Sequence, residues 1–506
     1  MSDGPYDAIV IGGGLGGLSA GAKLAKEGER VLLLEQGAVA GGCATTFHRL
    51  DVDFEVSLHE LGGFAEGDLH HRIYEDLGIL DAIELVPLPE FYRFRHGETD
   101  VVVPHDVEGA IDAYGEAFPS ERAAVERFFE VITKLRSELL SVPRSYRPRL
   151  WELPRFALGH PTLVRHRNAT VGEFLDSLTD DEELKMALSA NYGYYHDDPY
   201  ALALAMFAIG QATYYTHGGY YIRGGSQVLS DHLVSVIESN GGTVELGRLA
   251  TDILVEDGQA VGVRHEATDT GADPRAENGA HVIANCAVPN VAEELLPVPY
   301  GEQLREEIAD LEPGPSLLML YLAFDPTPAA LGNEHYSTFV VADEVESLAA
   351  ESPPHGESYG RRGFVFTDYS QIDAALTPEG KGVGTVVTFD YMANWTGLTD
   401  EEYEQKKSFV ERVLTRRLGE LVPGIEDAIV HTELATPRTI RRFTRNPGGE
   451  PYGFAQIPSQ TFEKRNVRSP LPNLSFASAW TNPGGGYGTT MASGYWAALD
   501  LLEDGE

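Results

Sequence analysis

The chain has 506 residues, enough for two or three domains with more than one core, and 42% of them are hydrophobic, which excludes a disordered or fibrous polymer. Against 38 Lys and Arg stand 78 Asp and Glu, a net charge of -40 whose field opposes nonspecific binding to nucleic acid, so no nucleic-acid partner is expected. Only eight of the basic residues are lysine; acid excess with lysine depletion matches adaptation to high salt, where screening weakens repulsion between surface carboxylates, and a plainly acidic protein is the other reading.

A short apolar strand, Asp7 to Ile11, runs into Gly12-x-Gly14-x-x-Gly17. A small-residue helix follows Gly17, and a second apolar strand, Val31 to Leu34, ends in Glu35. In this pattern the first glycine makes the tight turn, the second lets a pyrophosphate approach the backbone, and the third brings helix and strand together. The helix N-terminus faces the phosphates, and Glu35 is placed to accept hydrogen bonds from an adenosine ribose. The leading reading is a dinucleotide site, with plain packing of a Gly-rich turn as the alternative. The nucleotide unit begins almost at once, so no signal peptide is expected.

Gly41-Gly42-Cys43 follows, and a second close backbone approach suits the longer FAD better than NAD. Cys43 is either a reactive thiol or a small packing residue. Cys43 and Cys286, the only cysteines, supply neither a disulfide framework nor a zinc ligand set, so no metal is expected and a reducing cytoplasm fits. Residues 51–63 alternate as a strand leaving the nucleotide unit. Within them His59 is placed to titrate beside a flavin, or to be satisfied inside a domain interface.

Residues 68–215 read as helical, with apolar residues at helical spacing from 111 to 140. Arg144, Arg147, Arg149, Arg155, Arg165 and Arg167, interleaved with Trp151 and Phe156, form a cationic and aromatic stretch suited to docking on anionic lipid, or to pairing with acids elsewhere. Tyr192, Tyr194, Tyr195, Tyr200, Tyr214, Tyr215, Tyr220 and Tyr221 surround a run of small apolar residues; they line a channel for a lipophilic ligand or pack a core. The longest uncharged run, 199–222, is too polar for a membrane span.

Nucleotide-fold signals return with Arg223-Gly224-Gly225-Ser226-Gln227, a helix to about Ser239, strands at 243–246 and 253–263, and a buried strand from His281 to Ala287 that ends at the cofactor level of the sheet. Strands at 317–324, 363–366 and 384–389 and a helix at 402–421 then predict a mixed sheet. Tyr452 follows a glycine pair and is placed to face a flavin. The chain closes with strand, glycine turn and helix through Gly484, Gly488, Thr490 and Met491; the helix N-terminus there would stabilise negative charge on the pyrimidine side of a reduced flavin.

The expected fold class is therefore α/β. An FAD-binding Rossmann-like domain of glutathione-reductase type is assembled from residues 1–67, 222–290 and 472–506. An α+β substrate domain combines a helical insertion, 68–221, with a mixed sheet, 291–471.

Three nucleotide-domain pieces split by two substrate-domain pieces resemble the phytoene desaturase, carotenoid isomerase and retinol saturase superfamily over nearly the full length. Gly41-Gly42-Cys43-x-x-Thr46-Phe47 with Leu58-His59 is most similar to the retinol saturase and carotenoid isomerase branch. Glu55 stands where that pattern has aspartate, Ser57 where it has glycine, and Glu60 where it has tyrosine. The resemblance implies noncovalent FAD, a lipophilic polyene substrate in a long tunnel, and hydride exchange between a substrate carbon and flavin N5. Desaturation, saturation and redox-neutral cis-trans isomerisation all remain open, and an amine oxidase shares the fold. Expected cofactor contacts are Gly12, Gly14, Leu15, Gly17, Glu35, Gly41, Gly42, Cys43, Ala250, Asn285, Gly488, Thr490 and Met491. Expected acid or base candidates are His59, Glu60 and Tyr452. A quinone or oxygen is the expected electron acceptor, and the expected location is cytoplasmic with peripheral membrane contact through the Arg144 to Arg167 region.

Overall fold

The computed structural model describes residues 5–142, 153–351, 358–461 and 466–504. The strand Tyr6–Ile11 lies at the centre of a seven-stranded sheet, flanked in parallel by Val31–Glu35 and Arg275–Ala284. Thr243–Leu246 extends the sheet beyond Val31–Glu35, and Leu474–Phe476 pairs with Arg275–Ala284. Parallel strands are covered on both faces, and Ala8, Ile9, Val10 and all of Val31–Glu35 are accordingly buried. The sheet thus draws its strands from three distant stretches of the chain.

Arg275–Ala284 also belongs to an antiparallel extension with Arg248–Glu256 and Gln259–Ala267. The sequence reading of a strand at 253–263 is corrected here: Asp257-Gly258 turns the chain, with both residues at positive φ, so the segment is a hairpin. Asp-Gly supplies the conformation that a tight hairpin turn demands.

A second seven-stranded sheet runs in the order Ile429–Ala435, Ser316–Phe324, Gly382–Asp390, Phe364–Asp368, Ser337–Val340, Tyr92–His96, Thr99–Val103. It is antiparallel except between Ser337–Val340 and Tyr92–His96, which makes it mixed. The hairpin Tyr92–Val103 comes from the region read as helical, and its pairing beside Ser337–Val340 joins that region to the sheet.

Ser316–Phe324 is buried along its whole length, and strand alternation divides its work. Leu318, Leu320, Leu322 and Phe324 pack with Val410, Leu414 and Leu418 of the helix Asp400–Leu421. Leu317, Met319 and Tyr321 lie on the wall of the central cavity. One strand therefore seals the outer core and shapes the site.

Arg144, Arg147 and Arg149 lie outside the described residues. Arg155, Arg165 and Arg167 are exposed, on or beside the short helices Leu153–Gly159 and Pro161–His166, next to exposed Leu153, Leu158 and Val164. Among the described residues no helix is long and apolar enough to cross a membrane.

Candidate functional site

A cavity of about 1190 Å³ runs along the carboxyl ends of the central strands and onward between the second sheet and the helical region. Gly12 ends Tyr6–Ile11 with φ +98, and a Cβ there would lie 2.6 Å from the Asn285 carbonyl oxygen. A Cβ at Gly17 would lie 2.1 Å from the Gly12 carbonyl oxygen, so both positions require glycine. The helix Leu15–Lys26 starts at Gly14 with no capping side chain and no acid in its first turn. Its first N–H groups are left available to an anionic ligand.

Glu35 is buried, and its carboxylate accepts from Gly13 N and Gly37 N, each at 2.6 Å. Burial pushes its carboxyl above the usual range and these two donors oppose the rise. Gly41 N donates to Gly13 O at 2.7 Å, and Asn285 Nδ2 to Gly12 O at 3.0 Å, closing the turn region on itself. A bare helix N-terminus, a glycine cradle and a buried acid at the neighbouring strand end fit an adenine dinucleotide.

The structure brings together on the cavity wall Gly12, Gly14, Leu15, Glu35, Gly41, Gly42, Cys43, Ala250, Asn285, Gly488 and Thr490. Gly17 instead packs helix against strand, and Met491 is buried in the core; neither lies on the wall. Burial pushes the Cys43 thiol up to about 11, so it is a neutral thiol at neutral pH. The helix Tyr487–Asp504 begins on the opposite side of the same wall.

His59, Glu60 and Tyr452 also lie on the wall. His59 is 7% exposed; its Nδ1 meets the Tyr194 hydroxyl at 2.8 Å and its Nε2 the Thr385 hydroxyl at 3.4 Å. Burial pushes it down to about 4, so the ring is neutral at neutral pH. The Tyr336 hydroxyl donates to the His59 carbonyl. Glu60 Oε1 lies 2.6 Å from His105 Nε2, and burial raises its carboxyl above the usual range. Tyr452 packs against Gly485, and burial raises its phenol as well.

Beyond the dinucleotide cleft, Leu317, Met319, Phe339, Val387 and Phe389 of the second sheet face Tyr192, Tyr194, Tyr195, Met206 and Tyr214 of the helical region across the cavity. The tyrosine-rich stretch therefore divides: those four tyrosines line the cavity, whereas Tyr215 and Tyr221 are core residues.

Sequence reasoning left Glu55 without a role. It is fully buried and accepts from Ser57 N at 3.0 Å, Leu58 N at 2.9 Å, and both Ser226 N and Ser226 Oγ at 2.7 Å. It ties the loop that carries His59 and Glu60 to the Gly224-Gly225-Ser226 turn. The signal available was an acid on the buried side of an alternating segment. Tyr336, Tyr369, Thr385 and His105 had no local signal, because each arrives from a remote part of the chain.

The family model described as flavin-containing amine oxidoreductase matches residues 15–502. The chain is similar to all-trans-retinol 13,14-reductase of Danio rerio, 25% identical over 506 residues, covering 92% of this chain and 81% of that protein. It is similar to chloroplastic prolycopene isomerase 1 of an Oncidium hybrid cultivar, 26% identical over 468 residues, covering 88% of this chain and 74% of that protein. In fold it is similar to cyclohexylamine oxidase from Brevibacterium oxydans, with a TM-score of 0.63, 15% identity, and 99% of each chain covered.

Proposed function

The chain belongs to the flavin-containing amine oxidoreductase family and is an FAD-dependent oxidoreductase, and from that premise we propose that its substrate is a carotenoid- or retinoid-like polyene isoprenoid that it desaturates or saturates. The observation that carries this reading is the continuity of one cavity from the Gly12 and Glu35 cleft to the apolar wall of Leu317, Met319, Phe339, Val387 and Phe389. A long lipophilic ligand matches that wall, and the retinol reductase and prolycopene isomerase relatives add weight to the choice.

Bound FAD supplies hydride exchange at N5. Gly12, Gly14 and the first turn of Leu15–Lys26 would hold its diphosphate, Glu35 its ribose, and the start of Tyr487–Asp504 the flavin end. The apolar wall excludes water from the reacting carbons. Glu60, whose carboxyl is raised by burial, is the acid we assign to the paired proton; neutral His59 is a candidate base, and the Tyr452 phenol a further candidate donor. We place the protein in the cytoplasm, held peripherally to a membrane by the Arg144 to Arg167 region, with a quinone or oxygen reoxidising the flavin.

The similarity to prolycopene isomerases favours a second reading, redox-neutral cis-trans isomerisation in the same cavity. The fold of cyclohexylamine oxidase raises a third, amine oxidation. Anaerobic titration of the oxidised holoprotein with cyclohexylamine and with all-trans-retinol separates a polyene site from an amine site. The polyene reading predicts that retinol binds and cyclohexylamine leaves the flavin oxidised; bleaching of the flavin by cyclohexylamine would overturn it.

A further inference from the structure

We propose that Glu60 and His105 form a proton conduit between the cavity and bulk solvent; it rests on the polyene reading, because it supplies the proton exchanged at a substrate carbon.

The geometry separates the two members of the pair. Glu60 lies on the cavity wall and His105 does not. His105 sits in the loop between the strand Thr99–Val103 and the helix Val107–Ala117, directly before exposed Asp106. Their contact is 2.6 Å, with side-chain exposures of 7% for Glu60 and 12% for His105. The two nitrogens of an imidazole lie on different sides of the ring, so a ring that holds Glu60 through Nε2 has Nδ1 left for a second exchange. Once Glu60 has given its proton to the cavity, Nε2–H passes to the carboxylate while Nδ1 takes a proton from solvent. No electrons move in this step, and one proton crosses the pair.

Two neighbouring groups show why this pair, and not another, is suited to the task. His59 is a dead end for protons, because its nitrogens meet the hydroxyls of Tyr194 and Thr385, both inside the protein. Glu55 shows what a structural carboxylate looks like here: four hydrogen bonds, three of them from backbone N–H groups. Among the described residues Glu60 has one side-chain hydrogen-bond partner, and that partner is a histidine. Besides His59 and His105, the described ionisable groups interacting with Glu60 are the phenols of Tyr92, Tyr194, Tyr195, Tyr214 and Tyr336, which stay protonated at neutral pH because burial raises each of them. His105 itself packs its ring 5.3 Å from that of Phe91. Burial also raises the Glu60 carboxyl, favouring the protonated form that a donor needs.

The test is infrared spectroscopy of the flavin-loaded protein at neutral pH, with the Glu60 carboxyl stretch identified as the band lost in Glu60→Gln. In the wild type this band is expected to shift within the first seconds after dilution into D2O. In His105→Ala the shift is expected to slow by at least about tenfold, with imidazole in the medium restoring the rate. Absence of a protonated Glu60 band, slow exchange in the wild type, or an unchanged rate in His105→Ala would each overturn the proposal, and the wild-type outcomes do not depend on His105→Ala folding. The measurement uses no substrate. Failure of the polyene reading is read separately, as absence of all-trans-retinol turnover by the same preparation.

Discussion

Glu55 is the residue on which the geometry of the reactive loop depends most. Four donors converge on its buried carboxylate, and removing it strands the N–H groups of Ser57, Leu58 and Ser226 without acceptors. Glu55→Ala is expected to destabilise the protein by about 3 kcal/mol and to lower flavin occupancy; denaturant unfolding and the flavin-to-protein absorbance ratio check both. His59 makes a pH prediction. Its folded value near 4 lies below the ordinary 6.5, so the folded state binds fewer protons than the unfolded state between those limits. Stability is therefore full above about 6.5 and falls as pH drops toward 4, with a limit of about 3 kcal/mol from this one ring. Thermal melts of wild type and His59→Gln across that window are expected to converge toward acid pH; parallel curves would show that His59 does not carry the effect.

Two helices set the floor of the cleft. Leu15–Lys26 crosses Tyr487–Asp504 so closely that a Cβ on Gly494 would lie 1.8 Å from the Gly16 carbonyl oxygen. Gly494→Ala is expected to push the helices apart, lowering the melting temperature by the equivalent of about 2 kcal/mol and releasing flavin; an unchanged melt and flavin content would contradict this packing. These helices were also the most legible parts of the sequence. The glycine turn, helix start and acid of the opening unit fall within thirty residues of one another, and local chemistry specifies them. The hairpin Tyr92–Val103 was not legible, because its alternation is short and its parallel neighbour, Ser337–Val340, lies far along the chain. The same distance hid the surroundings of His59 and Glu60. Thr385, Tyr336 and Tyr369 come from the second sheet and its turns, and His105 from the loop after the hairpin, so no periodicity near residue 59 announces them.

At the scale of the whole molecule, charge and cavity act separately. A net charge of -40 repels itself in dilute buffer, and screening relieves that repulsion. The melting temperature is expected to rise as KCl is raised from 0.1 M toward 2 M; a flat or falling profile would favour a plainly acidic protein over a salt-adapted one. The cavity joins a dinucleotide cleft to an apolar, tyrosine-edged extension, and the central claim is that a polyene occupies that extension and exchanges hydrogen with the flavin. The most direct test is a single turnover without oxygen: holoprotein with its flavin chemically reduced is mixed with all-trans-retinol or prolycopene, and flavin absorbance and product mass are followed together. In the saturating direction, which a reduced flavin drives, reoxidation of the flavin is expected in step with a polyene that has gained two hydrogens. A product of unchanged mass and altered double-bond geometry, with the flavin still reduced, would contradict it and establish isomerisation.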